Sequence, residues 1–111
     1  MKKFSGNRFS EDSFMLTSKQ RAKLAALAST LKPVVFLGKG GAAEGVAAAL
    51  NKALDDHELV KLRFIDFKGE RRQLAEELAQ KCQADLIRVI GNVAVLFRRS
   101  RDPEKQQIKL D

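Results

Sequence analysis

Gly38-Lys39-Gly40-Gly41 is the stretch whose residue types and spacing could do chemistry. A short apolar run, Val34-Val35-Phe36-Leu37, precedes it, and an alanine-rich segment follows from Ala42 to Leu50. The apolar run, bounded by Pro33 and by glycines, predicts a buried strand; the alanine-rich segment predicts a helix. The glycines then lie between a strand and a helix N-terminus, where free N–H groups and the helix dipole attract anions. Glycine leaves the backbone bare for close approach, and Lys39 adds a full positive charge. A G-x-x-G loop opening a helix is also what KH-type modules use to clamp the backbone of single-stranded nucleic acid. The bland alternative is a turn that needs glycine only for packing.

Other chemistries draw on the same few residues. Gly38, Gly40 and Ala43 satisfy G-x-G-x-x-A, the dinucleotide fingerprint, and Asp66 could imitate its ribose-binding acid. Against this, Asp66 lies 28 residues from Gly38, beyond the usual spacing of about 20, and the chain has no second mononucleotide half. No G-x-x-x-x-G-K-[ST] pattern occurs. Asp55-Asp56-His57-Glu58 offers metal-ligand types, but a single His with adjacent acids at a helix-to-strand junction reads as structural. The one cysteine, Cys82, falls on an apolar helix stripe, which predicts burial. With one His to serve every scheme, no catalytic triad can be assembled. The expectation is a protein without catalytic residues, cofactor or metal.

Charge points to a polyanionic partner. The net charge is +7, from 21 Lys and Arg against 14 Asp and Glu. Residues 15–54 hold six basic groups and one acid, so the excess surrounds the glycine loop. Lys19 and Lys23, Lys61 and Arg63, Arg71 and Arg72, and Arg98, Arg99 and Arg101 could extend a basic surface or simply form solvated faces. With no Tyr or Trp, base stacking would fall to Phe, His or Arg, which favours recognition of a nucleic-acid backbone over sequence reading. No apolar run reaches membrane-spanning length, the N-terminus lacks a signal-peptide stretch, and a lone cysteine suits a reducing compartment; a cytoplasmic location is expected.

The elements that must position these groups can be read in order. Residues 1–14 show no period and read as a flexible extension before a candidate start at Met15. Thr17 and Gln20 form a capping box, and Leu24, Leu27, Ala28 and Leu31 predict a buried helical stripe over residues 18–31, ended by Pro33. After the loop, Val46, Leu50 and Leu54 face the core, Gly45 and the alanines suggest close backbone packing, and the helix should end near Asp55-Asp56. Residues 58–67 alternate as a strand. Lys68-Gly69 turns into a third helix with Leu74, Ala75, Leu78 and Cys82 inward. Residues 86–90 and 93–97 are strands joined by Gly91-Asn92, a two-residue turn of type II′. Ile108 and Leu110 alternate with polar residues as a short edge strand. The fold class is α/β: one domain, helix-strand-helix-strand-helix-strand-strand, with a four-stranded mixed sheet flanked by helices. Strands separated by helices predict parallel pairing, and the last hairpin adds an antiparallel pair.

Several blocks carry a resemblance. Leu16-Thr17-Ser18-Lys19-Gln20-Arg21, Leu31-Lys32-Pro33-Val34-Val35, the glycine loop followed by Glu44, His57-Glu58-Leu59-Val60-Lys61, and residues 89–98 together resemble the bacterial YhbY-like proteins. These are the stand-alone form of the chloroplast RNA splicing and ribosome maturation (CRM) domain. Phe97 stands where that family often has Tyr, and Cys82 where a small polar residue is common. The resemblance implies a fold similar to the C-terminal domain of translation initiation factor 3. It implies RNA contact through Gly38, Lys39, Gly40 and Gly41, and association with ribosomal RNA in precursors of the large subunit. Lys19, Lys23, Arg71, Arg72 and Arg98 complete the expected RNA-binding set. The expected divisions are an extension over 1–14, the RNA-binding domain over 15–99 and a tail over 100–111. A dinucleotide-binding enzyme subunit and a protein-binding adaptor remain the alternatives.

Overall fold

The computed structural model of the chain describes residues 16–38, 43–65, 70–100, 102–106 and 108. The N-terminal extension, Lys39-Gly40-Gly41, Asp66, Lys68-Gly69, Arg101 and Leu110 lie outside the described residues.

Helix α1 (Ser18–Ala28) starts as its sequence dictates: the Thr17 hydroxyl accepts from Gln20 N while Gln20 Oε1 accepts from Thr17 N. It stops sooner than the stripe predicts. The Ser29 and Thr30 hydroxyls donate to Ala26 O and Leu27 O and draw the last carbonyls away from the helical ladder. Leu24 and Ala28 are buried, but Leu27 and Leu31 remain 42% and 40% exposed, so only half of the expected stripe packs.

Strand β1 (Val35–Leu37) leads to α2 (Ala43–His57), which continues past Asp55-Asp56. Glu58 then takes a left-handed φ of 65° and turns the chain into β2 (Leu59–Phe64). Helix α3 (Arg71–Lys81), strand β3 (Asp85–Ile90) and strand β4 (Val93–Phe97) follow. Gly91 has φ 56° and Asn92 a negative φ, the II′ geometry expected of a two-residue hairpin, and Ile90 pairs with Val93 across it. Ile108 forms no strand; a short 3-10 helix at Pro103–Lys105, entered through an Asp102 side-chain cap, precedes it, and Ile108 packs against the cluster of Leu16, Leu24, Ala28, Leu59, Val95 and Phe97 instead.

The sheet order is β1-β2-β4-β3. β1 and β2 are parallel, as a strand-helix-strand unit requires, but β4 lies between β2 and β3 and is antiparallel to both. The crossover through α3 therefore delivers a strand parallel to β2 but not adjacent to it. Burial follows this order: Ala94 to Phe97 is apolar and buried on both faces inside the sheet, while β3 is only partly buried along its length at the edge.

Helices cover both faces. α2 and α3 close one face over the main core of Val35, Leu37, Leu50, Leu54, Leu62, Phe64 and Leu96. α1 lies on the other, over Leu59, Val95 and Phe97, which fixes its side. Gly45 does not serve close packing among the described residues: it is exposed, and a Cβ there would meet none of them within 4 Å.

Glu58 is the one charged side chain buried among the described residues. Its carbonyl accepts from Arg98 N at 2.9 Å and its Oε2 from Ser100 N at 2.6 Å, so it ties the end of α2 to the chain leaving β4. Glu58→Ala should lower stability by about 1–3 kcal/mol, because Ser100 N loses its acceptor inside the protein. Glu58→Gln, which keeps an acceptor oxygen, should lose less. Urea unfolding measures both, and an alanine variant as stable as the parent would show that the bond is not needed.

Candidate nucleic-acid interface

One end of the sheet gathers the groups singled out in the sequence. Ile65 N donates to Leu37 O at 2.8 Å, just before Gly38. Phe64 N donates to Asn92 O at 2.7 Å, and Asn92 Oδ1 accepts from Arg71 Nη1 at 2.9 Å. This run of bonds links the end of β1, the end of β2, the hairpin turn and the start of α3. The N-termini of α2 and α3 both open here, so the positive ends of two helix dipoles share one side of the molecule. The N-cap of α3, Glu70, sits at φ 54° and gives its first turn no side-chain hydrogen bond.

Glycine is not required by the fold on either flank of the loop. Gly38 has no left-handed φ, and a Cβ there would meet no described residue within 4 Å; the same holds for Gly45 in the first turn of α2. A glycine in a helix costs about 0.5–1 kcal/mol relative to alanine, so an exposed one without neighbours is a stability loss with no return in packing. In the sequence Gly45 reads as part of a packing surface, because the helix around it is rich in alanine.

The basic residues divide. Arg71 is half-buried at this end, held by Asn92; Arg72 beside it is exposed and pairs with Glu76 at 3.4 Å on the helix surface. Lys19 and Lys23 are exposed on α1, whose Arg21 reaches Leu86 O at 2.9 Å, at the start of β3 and so at the opposite end of the sheet. Arg98 also lies at that opposite end. Its guanidinium donates to Asn51 Oδ1, Asn51 O, Cys82 O and Asp55 Oδ1 at 2.7–3.0 Å, joining α2, the end of α3 and β4. The fold thus employs Arg98 as an internal tie. Arg99 donates to Ile108 O, and Lys61 Nζ to Leu31 O at the end of α1.

The acids and the thiol have structural work. Asp55 holds Arg98 at 2.8 Å. Among the described residues no three His, Cys, Asp or Glu groups come together as metal ligands. The Cys82 thiol faces Ala47 O at 3.5 Å; burial pushes its pKa up, against the opposing charges of Arg98 and Lys81, which disfavours the nucleophilic thiolate. No helix among the described residues is long and apolar enough to cross a membrane.

Comparison with known proteins agrees with the resemblance. The family model of the CRS1/YhbY (CRM) domain matches residues 16–98. A Pseudomonas aeruginosa protein named "probable RNA-binding protein" is 36% identical over 81% of this chain and 88% of its own length. A Haemophilus influenzae protein named "RNA-binding protein" is 37% identical over 82% of this chain and 93% of its own. The solution structure of a Staphylococcus aureus protein superposes with a TM-score of 0.72 at 30% identity, over 86% of this chain and all of that one. The chain belongs to the CRS1/YhbY (CRM) domain family.

Replacing Gly45, in the first turn of α2, by alanine should stabilise the protein by up to about 0.5 kcal/mol, since the added methyl meets no described neighbour within 4 Å. Thermal unfolding reads the change; a fall in stability would mean that Gly45 has a structural role after all.

Proposed function

We propose that this CRM-domain chain is a non-enzymatic RNA-binding protein of the cytoplasm that holds RNA phosphates through Gly38, Lys39, Gly40, Gly41, Arg71 and Arg72. The observation that supports this most directly is the pair of glycines the fold does not need. A bare backbone beside two helix N-termini lets phosphate oxygens come within hydrogen-bond reach of N–H groups. The relatives named as RNA-binding proteins point to the same partner. The resemblance to YhbY-like proteins extends the reading to ribosomal RNA in a precursor of the large subunit. Lys19 and Lys23, at the other end, would act as a diffuse attractive field. Arg98 is left out of the contact set, because its donors are engaged within the protein.

Phosphate clamping has a salt signature. If about four to six phosphates are contacted, log affinity should fall with log salt at a slope of roughly −3 to −5. Lys39→Glu should weaken binding by roughly 1.5–3 kcal/mol, about ten- to a hundredfold, and to a similar degree on every RNA sequence. Lys52→Glu is the charge-matched control, since Lys52 pairs only loosely with Asp56 at 3.6 Å on the exposed side of α2. Equal losses in the two folded variants would reduce the loop to a contributor of bulk charge.

The RNA target is tested separately. Crosslinking in cells followed by sequencing should recover large-subunit ribosomal RNA, including its unprocessed flanks, above other transcripts. Recovery spread evenly over cellular RNA would remove the ribosomal assignment and leave general RNA binding standing.

A further inference from the structure

Among the described residues, the face of the sheet that carries α1 is only half covered. α1 packs over Leu59, Val95 and Phe97, toward the end away from Gly38. At the Gly38 end, pairing sets Phe36 beside Arg63, Arg63 beside Val93, and Val93 beside Ile90, one residue from each strand on one face. Strands lie about 4.8 Å apart, so this row is roughly 14 Å wide. Phe36 is 52% exposed and Ile90 57%, whereas the chain neighbours of Phe36, Val35 and Leu37, belong to the core on the other face, and Val89, beside Ile90, packs against it. Exposed apolar groups scattered singly mean little, but a row continuous across a sheet marks a binding surface.

We infer that this row is a second contact surface for single-stranded RNA, on which a base stacks against Phe36 while Arg63 engages the adjoining phosphate or base. The inference rests on the RNA-binding reading and adds a base-contacting surface to it. Two observations favour RNA as the occupant. The row and the one behind it, Lys61, Val95 and Arg88, hold three basic residues and no acidic one. Arg63 and Arg88 are exposed and make no ion pair among the described residues. The surface is also continuous with the phosphate-binding end: Phe36 is two residues from Gly38, and Ile90 adjoins the Gly91-Asn92 turn that holds Arg71. A strand of RNA clamped by its phosphates at the loop can lay its next bases on the sheet, as an aromatic sheet platform does with two or three bases.

The chain contains no tryptophan, so Phe36→Trp installs a single fluorophore in the row. Unstructured RNA of about 12 nucleotides should quench its emission saturably, and a duplex of equal length should not, because paired bases offer no free face. Phe36→Leu, which keeps an apolar side chain but no aromatic plane, should weaken single-strand binding about five- to a hundredfold, with the salt slope unchanged because no charge is lost. Circular dichroism confirms folding, which a half-exposed position should tolerate. Three results would overturn the inference: a leucine variant that binds like the parent, a tryptophan unmoved at RNA saturation, or a tryptophan already shielded from acrylamide in the free protein. The middle case includes a protein partner as occupant of the row. Steep salt-dependent RNA binding with indifferent Phe36 variants would sink this surface alone, whereas a parent protein that binds no RNA would sink the phosphate clamp with it.

Discussion

The guanidinium of Arg98 holds the molecule together at one end. It stands just past β4 and satisfies carbonyls at Asn51 and Cys82 together with the side chains of Asn51 and Asp55. Each is a bond of α2, or of the end of α3, to the last strand. Next to it the buried Glu58 links the turn after α2 to Ser100. A planar cation with five donors can bridge three elements in a way that lysine cannot, since lysine is a point charge on a flexible stem. With the helix C-termini fixed here, the N-termini of α2 and α3 open together at the other end, where dipoles and bare backbone are available to a ligand.

A second asymmetry follows from the length of α1. Eleven residues at 1.5 Å each give a helix of roughly 16 Å, which lies over β2, β4 and β3 at the Leu59 and Phe97 end and does not reach the row of Phe36, Arg63, Val93 and Ile90. Two hydroxyls set that length by competing for its final carbonyls. The strands of the uncovered half keep their buried face intact through Leu62, Phe64 and Leu96. The exposed Phe36, Arg63 and Ile90 therefore add little to folding, and their cost in exposed apolar area is small beside the core opposite.

These two asymmetries meet at Gly38. Phosphate contacts there would supply affinity but no sequence information, while the sheet beside it offers the aromatic plane that backbone recognition lacks. Absence of Tyr and Trp favours backbone recognition when only composition is considered; the position of Phe36 supplies a stacking surface that composition cannot reveal.

The sequence by itself determined the element order, the capping box of α1, the II′ hairpin at Gly91-Asn92, most of the core and the CRM family, because local backbone chemistry and period-two or period-3.6 patterns act over a few residues. It also located the glycine loop between strand and helix. Tertiary structure decided the rest. That β4 separates β2 from β3 is a pairing among distant segments, and the burial of β4 on both faces goes with that inner place. Arg98 reads in sequence as one of several surface cations, and only the convergence of α2, α3 and β4 turns it into an internal tie. Leu27 and Leu31 carry a helical period, yet Leu27, inside α1, and Leu31, past its end, both stay exposed, because which turn of the stripe meets the sheet is set by how the helix docks. Phe36, Arg63 and Ile90 are far apart in the chain, and pairing across four strands is what makes them neighbours.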